Sequence, residues 1–347
     1  MRAIPHNKTR LFMTRKQLIY RTALPSVNSS KQITIEFTAY ITLSHSTTPL
    51  QFLVKILGTV VLTTSTSTMS STTTTTPMTF YDIALAPPAQ KSACSPNPWK
   101  IRFALNFKNT PYKTTWVPLP DVSAVRSALN IPASRTFADG SPYHTLPILS
   151  DPATGRIVGD SFEIATYLQE QYPSSGAGDL FPVQELEFVF GRDLGLYAPV
   201  AEVQVSEGLA AAYVKFNTHV DSLFSAHMRL MVHGFPFDPA VAEECKATFS
   251  KRIGVPWDSL AVNGDEREQL LKAFEETLGG LAKLYTRDPS GPFLMGSKAS
   301  YADFIVGGWL RMSRIMLPGE EWEALKGWHN GVFGRLDEAL EVFAQMD

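Results

Sequence analysis

Residues 79–85, TFYDIAL, alternate apolar and polar side chains weakly and predict a strand. The breaker-rich stretch PPAQKSACSPNP follows. Apolar positions then recur at Trp99, Phe103 and Phe107, the spacing of one helix face. A helix over 97–109 is predicted, with Asn97 as its cap and Pro98 in the first turn, where a missing N–H costs nothing. KTTWVPL (113–119) predicts a second strand. HTLPIL (144–149) and GRIVG (155–159) predict two short strands joined by a turn over 150–155. SFEIATYLQEQY (161–172) predicts a helix capped by Ser161, with Ile164 and Leu168 on one face. Strand, helix, strand, irregular piece, hairpin and helix pack as one α/β layer pair spanning 78–172.

After YPSSGAGDLFP (172–182) the period changes to that of helices only. Six segments carry apolar residues at three-to-four spacing: 183–204, 211–232, 239–253, 265–285, 301–316 and 321–343. The expected organisation is a small α/β domain over 78–172, a linker over 173–181, and an all-helical domain over 182–347.

Residues 1–77 behave differently. LTTSTSTMSSTTTTTPM (62–78) is a low-complexity tract with little apolar surface to offset the entropy of ordering, so the stretch is expected to be a disordered extension. The first 35 residues carry seven basic side chains and no acid, the charge of a mitochondrial-type presequence, although helical periodicity is poor. Met69 and Met78 are alternative starts. FLVKILGTVVL (52–62) is interrupted by Lys55 and falls short of the roughly 20 apolar residues of a membrane span.

Charge sharpens this division. Residues 1–77 hold eight Lys/Arg against one acid, Glu36, for +7; the remainder holds 23 basic and 32 acidic residues, for −9. An acidic folded body lacks the basic footprint that nucleic-acid binding needs. Two cysteines, Cys94 and Cys245, make no disulfide framework and suit a reducing compartment. Seven scattered histidines with no His-x-x-x-His or Cys-x-x-Cys spacing leave a metal site unsupported.

The α/β order, the X-Pro strand YHTLPILSD (143–151) and the Asp-Ser helix start in GRIVGDSFEIATYL (155–168) resemble the thioredoxin-like domain of glutathione transferases. The helical second domain extends the likeness. SPNPWKIRFALNFKNTPYKTTWV is similar to the fungal etherase-related transferases, and SP…WK…ALNFK to the bacterial lignin β-etherases. The resemblance spans roughly 79–345 and implies an enzyme that binds glutathione as co-substrate and delivers its thiolate to a hydrophobic or aromatic electrophile, with aryl-ether cleavage one such reaction.

That resemblance also implies site residues. Pro147 would be cis, exposing the Leu146 backbone to the cysteinyl part of glutathione. Asp160 would hold the γ-glutamyl ammonium. Ser161 would hold the γ-glutamyl carboxylate at a helix start, where free amides and the dipole favour an anion. Ser95 matches the family serine that donates to the sulfur; a free thiol titrates near about 8.5 and must be lowered to react. Asn97 either adds a polar contact or only caps the helix. Cys94 leaves a redox reading open, a glutathione-dependent thiol oxidoreductase; non-catalytic carriage of aromatic ligands is a third. SYADF (300–304) resembles the capping box of transferase C-domains, with Ala299 small where the family has a bulky staple. Tyr197, Phe216, Trp309 and Met312 are candidate walls of the acceptor pocket, although an aromatic stripe at helical spacing is more often core. A homodimer is expected, in the cytoplasm, or in mitochondria if residues 1–35 are a true presequence, with no membrane or nucleic-acid partner.

Overall fold

A computed structural model describes residues 32–43, 50–61, 76–137, 140–188 and 209–346. The chain divides into two units, Met1–Thr73 and Thr74–Asp347. In the first, β1 (Gln32–Leu43) and β2 (Leu50–Val61) pair antiparallel from Gln32 opposite Val61 to Leu43 opposite Leu50. This hairpin lies inside the stretch that composition marks as unstructured; its β-branched content favours extended backbone. Most of the Ser/Thr tract and the first 31 residues lie outside the described residues.

The second unit opens with β3 (Met78–Ala84), a short helix α1 (Ala89–Ser92), and α2 (Pro96–Phe107). Then come β4 (Tyr112–Pro118), α3 (Val122–Ala128), β5 (Arg135–Thr136), β6 (Pro142–Tyr143), β7 (Ile148–Asp151), β8 (Arg156–Val158) and α4 (Ser161–Gln171). The sheet order is β4-β3-β7-β8, with β3 parallel to β4 and antiparallel to β7. Alternation along β3 explains its two faces. Met78 and Phe80 join the large core shared with α2 and α4, whereas Tyr81 packs on the small cluster of Val117, Val122, Leu146 and Ile148 under α3. The chain thus has a thioredoxin-like mixed sheet with helices on both faces, followed by helices alone, as its sequence predicts.

Those helices are α5 (Leu209–Ser225), α6 (Ala242–Ile253), α7 (Gly264–Leu284), α8 (Tyr301–Met316) and α9 (Gly319–Ala339). The helix expected over 183–204 is not formed over 183–188; the rest of it, with Tyr197, lies outside the described residues. None of the described helices is long and apolar enough to cross a membrane. α9 breaks at Trp328–Gly331, where His329, Asn330 and Gly331 all take left-handed φ. The Glu275 carbonyl, 2.8 Å from His329 Nε2, and the Arg335 guanidinium, donating at 2.6 Å to the Asn330 carbonyl, hold a conformation that non-glycine residues rarely adopt.

α8 is central. Ser300 and Asp303 form the expected capping box, with the Ser300 N–H donating to Asp303 Oδ2 at 2.8 Å and the Leu294 N–H to Oδ1 at 2.9 Å. α2 lies along α8 because Gly307 and Gly308 present no side chain: a Cβ on Gly308 would stand 2.6 Å from the Pro96 carbonyl oxygen.

Two buried titratable groups in this domain oppose each other in acid. His227, stacked on Phe274 and sharing a 3.1 Å hydrogen bond with Thr277, is lowered to about 4 by burial. Its folded value lies below its unfolded one, so its contribution to stability is present above about pH 6.5 and lost as pH falls through about 4, at most about 3 kcal/mol. Asp303 is raised to about 6 by burial, its hydrogen bonds opposing, so its contribution is present below about pH 4 and lost as pH rises through about 6. His227→Phe should therefore gain stability relative to the parent chain on acidification from pH 7 to 4, by up to those roughly 3 kcal/mol, in urea melts across that range. An unchanged difference would show that the ring does not titrate as described.

Candidate active site

The start of α2 differs from its sequence expectation by two residues. Pro96, not Pro98, is the first helical residue, and Ser95, not Asn97, is the N-cap. Pro96 already has the φ a helix needs, so the helix begins there. The Ser95 hydroxyl makes no capping hydrogen bond. A cap oxygen usually accepts from the second or third helical N–H, and the third residue here is Pro98, which has none. Ser95 is half-buried and its hydroxyl has no partner among the described residues, so it is released to act on something else.

The same two prolines thin out the anion-binding capacity expected at this helix end. Of its first three residues only Asn97 keeps an N–H, and the Trp99 N–H is taken by the Ser95 carbonyl at 3.2 Å. The Asn97 side chain does not cap. Its Oδ1 accepts from Lys100 Nζ at 2.9 Å.

Cys94, one residue before the cap, is fully buried, and burial pushes its thiol far up, the Asp82 carboxylate adding to this. Asp82 itself is paired at 2.7 Å with Arg102, whose guanidinium lies over the rings of Phe80, Trp99, Tyr112 and Trp116. A thiol kept protonated and dry lacks what nucleophilic or exchange chemistry requires.

The second half of the site comes from β7 and α4. The Leu146–Pro147 bond is cis, and neither the N–H nor the C=O of Leu146 makes a backbone hydrogen bond among the described residues. Asp160, not Ser161, is the N-cap of α4, its Oδ1 accepting from the N–H groups of Phe162 at 2.8 Å and Glu163 at 3.4 Å. Ser161 is the first helical residue, buried, with its carbonyl held by the Tyr301 hydroxyl of α8 at 3.2 Å and its own hydroxyl without a partner among the described residues. Burial raises the Glu163 pKa and Asp160 adds to it, with Arg126 opposing, so two carboxylates share this helix start.

Arg126 organises these loops, and sequence reading missed it. Buried on α3, it donates to the Pro132 carbonyl, to the Thr145 carbonyl at 2.6 Å and to the Gly159 carbonyl at 2.8 Å. Thr145 precedes the Leu146–Pro147 pair and Gly159 precedes Asp160, so one guanidinium brings both segments together. A Cβ on Gly159 would press on Ile131 Cγ2 and lie 2.9 Å from Arg126 Nη2, so a larger residue there would displace one of these side chains. The available signal was an arginine on an otherwise apolar stripe, Val122, Val125, Leu129.

Phe216, Trp309 and Met312, candidate pocket walls on a stripe that is more often core, are buried core residues. α5 and α8 turn them inward, Trp309 stacking on Phe224 at 5.3 Å. Half-buried rings occur instead at Phe235, Phe237, Phe249 and Trp257, on a segment whose Pro236 carbonyl accepts from the Ala86 N–H in the loop that leads to α2. Among the described residues no cluster of three or more His, Cys, Asp or Glu is arranged to hold a metal.

Comparison with known proteins agrees with this fold. Sequence models of the glutathione S-transferase N-terminal and C-terminal domains match residues 94–171 and 209–343. A glutathione S-transferase-like protein of Aspergillus flavus is 26% identical over 269 residues, 75% of this chain and 88% of the relative. One of Beauveria bassiana is 31% identical over 208 residues, 60% of this chain and 70% of the relative. Among solved structures, a glutathione S-transferase of Ceriporiopsis subvermispora in complex with glutathione superposes with a TM-score of 0.63 at 28% identity, covering 78% of this chain and 99% of that one. A glutathione transferase of Phanerochaete chrysosporium gives 0.61 at 26%, covering 78% of this chain and all of that one. The matches over both domains, on a thioredoxin-like sheet followed by helices alone, lead to one conclusion: the chain belongs to the glutathione S-transferase family.

Proposed function

We propose that the protein binds glutathione and uses Ser95 to hold its sulfur as thiolate for attack on a hydrophobic or aromatic electrophile. The observation that carries this is the Ser95 hydroxyl, which sits at a helix start yet makes no capping bond. Donation of that O–H to sulfur favours the anion, the thiolate attacks an electrophilic carbon, and a halide or phenoxide departs with the bonding pair. The proton lost from glutathione goes to solvent. Ser161 Oγ and its free N–H suit the γ-glutamyl carboxylate; Asp160 Oδ2, unused by the cap, suits the ammonium. An apolar acceptor fits against Phe235, Phe237 and Trp257, with aryl ethers one acceptor class. The buried thiol of Cys94 disfavours the oxidoreductase reading.

Glutathione-affinity capture, followed by assay on an aryl halide, an isothiocyanate, a β-aryl ether and a disulfide, tests the reading. Conjugation of at least one of the first three is expected; turnover of the disulfide alone would refute it. Within the binding site, Ser161→Ala should weaken glutathione by about 1.5–3 kcal/mol, the worth of a hydrogen bond to a charged group. Asp160→Asn should weaken it less and leave the thermal midpoint in place, because asparagine caps as well as aspartate. Asp160→Ala should also lower stability by about 1 kcal/mol through the lost cap. Calorimetric titration and melting curves on the three variants give both readouts, and parental affinity in all three would remove this helix start from the site.

A further inference from the structure

Lys100, on the second turn of α2, is fully buried. Its ammonium uses all three N–H bonds, donating to Asn97 Oδ1 at 2.9 Å, Asn217 Oδ1 at 2.9 Å and Asp221 Oδ1 at 2.7 Å. Asp221 is fixed in turn, with Oδ1 accepting from Trp309 Nε1 of α8 at 2.6 Å and Oδ2 from Asn217 Nδ2 at 3.2 Å. The charged groups acting on the ammonium are Asp221 on α5, Asp160 at the start of α4 and Arg135 on β5. Burial lowers the Lys100 pKa and Asp221 opposes it.

The chemistry of the pair settles the orientation of Asn97. An ammonium has only donors, so the amide atom facing it is the oxygen, and Nδ2 is turned the other way. Nδ2 has no partner among the described residues and sits two residues from Ser95 on the same first turn. This helix start has also lost two N–H groups to proline.

We propose that Lys100 is a positioning residue for thiolate formation: it locks the Asn97 carboxamide with Nδ2–H toward the glutathione sulfur and replaces the positive potential that Pro96 and Pro98 remove. This rests on the reading that Ser95 faces the sulfur. Lys100 does not touch substrate. Asn217 and Asp221, the latter braced by Trp309, hold it from the helical domain, so the second domain sets the acidity of a thiol bound in the first.

The test reads the pKa of the bound glutathione thiol, by thiolate absorbance across pH, in Lys100→Met, in Lys100→Met with Asp221→Asn, and in Asn97→Ala and Asn97→Asp. The double variant removes the carboxylate that Lys100→Met would strand. Both lysine variants should raise the bound thiol pKa by about one, with a roughly tenfold loss of kcat/KM near pH 6.5 and little change in glutathione affinity. Asn97→Asp, which keeps an oxygen for Lys100 but aims the other at the sulfur, should raise it more than Asn97→Ala. An unshifted thiol pKa in a folded lysine variant would overturn the proposal, as would equal values for the two Asn97 variants. Ser95→Ala separates the two readings: an unshifted pKa there fails Ser95, whereas a shift there without one in the lysine variants fails Lys100 alone.

Discussion

Ser95→Ala is expected to cut conjugation near pH 6.5 by about ten- to a hundredfold while leaving the fold intact, and to raise the bound thiol toward the free value of about 8.5. A hydrogen bond to a charged group is worth about 1.5–3 kcal/mol, which is one to two pH units of thiol acidity. The unusual part concerns stability. Removing a serine N-cap ordinarily costs about 0.5–2 kcal/mol, but this hydroxyl makes no capping bond, so melting should barely change. Steady-state rates against pH, thiolate absorbance and melting curves on one variant test all of this together. A thermal loss the size of a normal cap, with conjugation retained, would mean that the hydroxyl serves the helix and not the sulfur.

Gly308→Ala should do the reverse, damaging fold and activity at once. By helix propensity alone the change would stabilise α8 by about 1 kcal/mol. The new Cβ would instead stand 2.6 Å from the Pro96 carbonyl oxygen and 3.2 Å from Lys100 Cγ, and the first of these is backbone with no rotamer to escape into. Overpacking of this kind costs about 1–3 kcal/mol, and relief requires the first turn of α2 to move, carrying Ser95 and Asn97 with it. Lower melting together with a higher thiol pKa is expected. Gly307→Ala is the control: its nearest neighbour is the end of the Leu340 side chain, which can swing away, so it should cost stability with less effect on the thiol. If both variants behave alike, backbone contact at Pro96 is not what fixes the first turn of α2.

Much of this architecture was legible in the residue pattern. Helix period and turn chemistry located α2, α4 and α8 to within two residues, and the Ser300–Asp303 spacing announced its capping box. Both helix starts of the site were misread by one or two residues for the same reason. Several residues in each row can cap, and the choice depends on which N–H groups remain, as Pro98 at the third position of α2 shows. Lys100, Arg102 and Arg126 were invisible as functional residues because their partners lie far off in sequence: Asp221 for the first, Asp82 for the second, and the carbonyls of Thr145 and Gly159 for the third. Period 3.6 places such residues on a buried stripe but does not say what meets them there. Phe216, Trp309 and Met312 could be read either way, since an aromatic stripe looks the same whether it lines a cleft or fills a core, and the structure places them in the core.

The Arg126 guanidinium bears on how the unliganded protein breathes. Because the carbonyls of Pro132, Thr145 and Gly159 share one side chain, a fluctuation that frees any of these segments leaves the arginine without enough acceptors and loosens the other two. The amides around Leu146 and Asp160 then exchange with solvent as one cooperative foldon, at a rate set by a single local opening. Glutathione bound as proposed, bridging both segments, would close that opening from the outside, so protection would appear together across stretches that are separate in sequence and joined through α3.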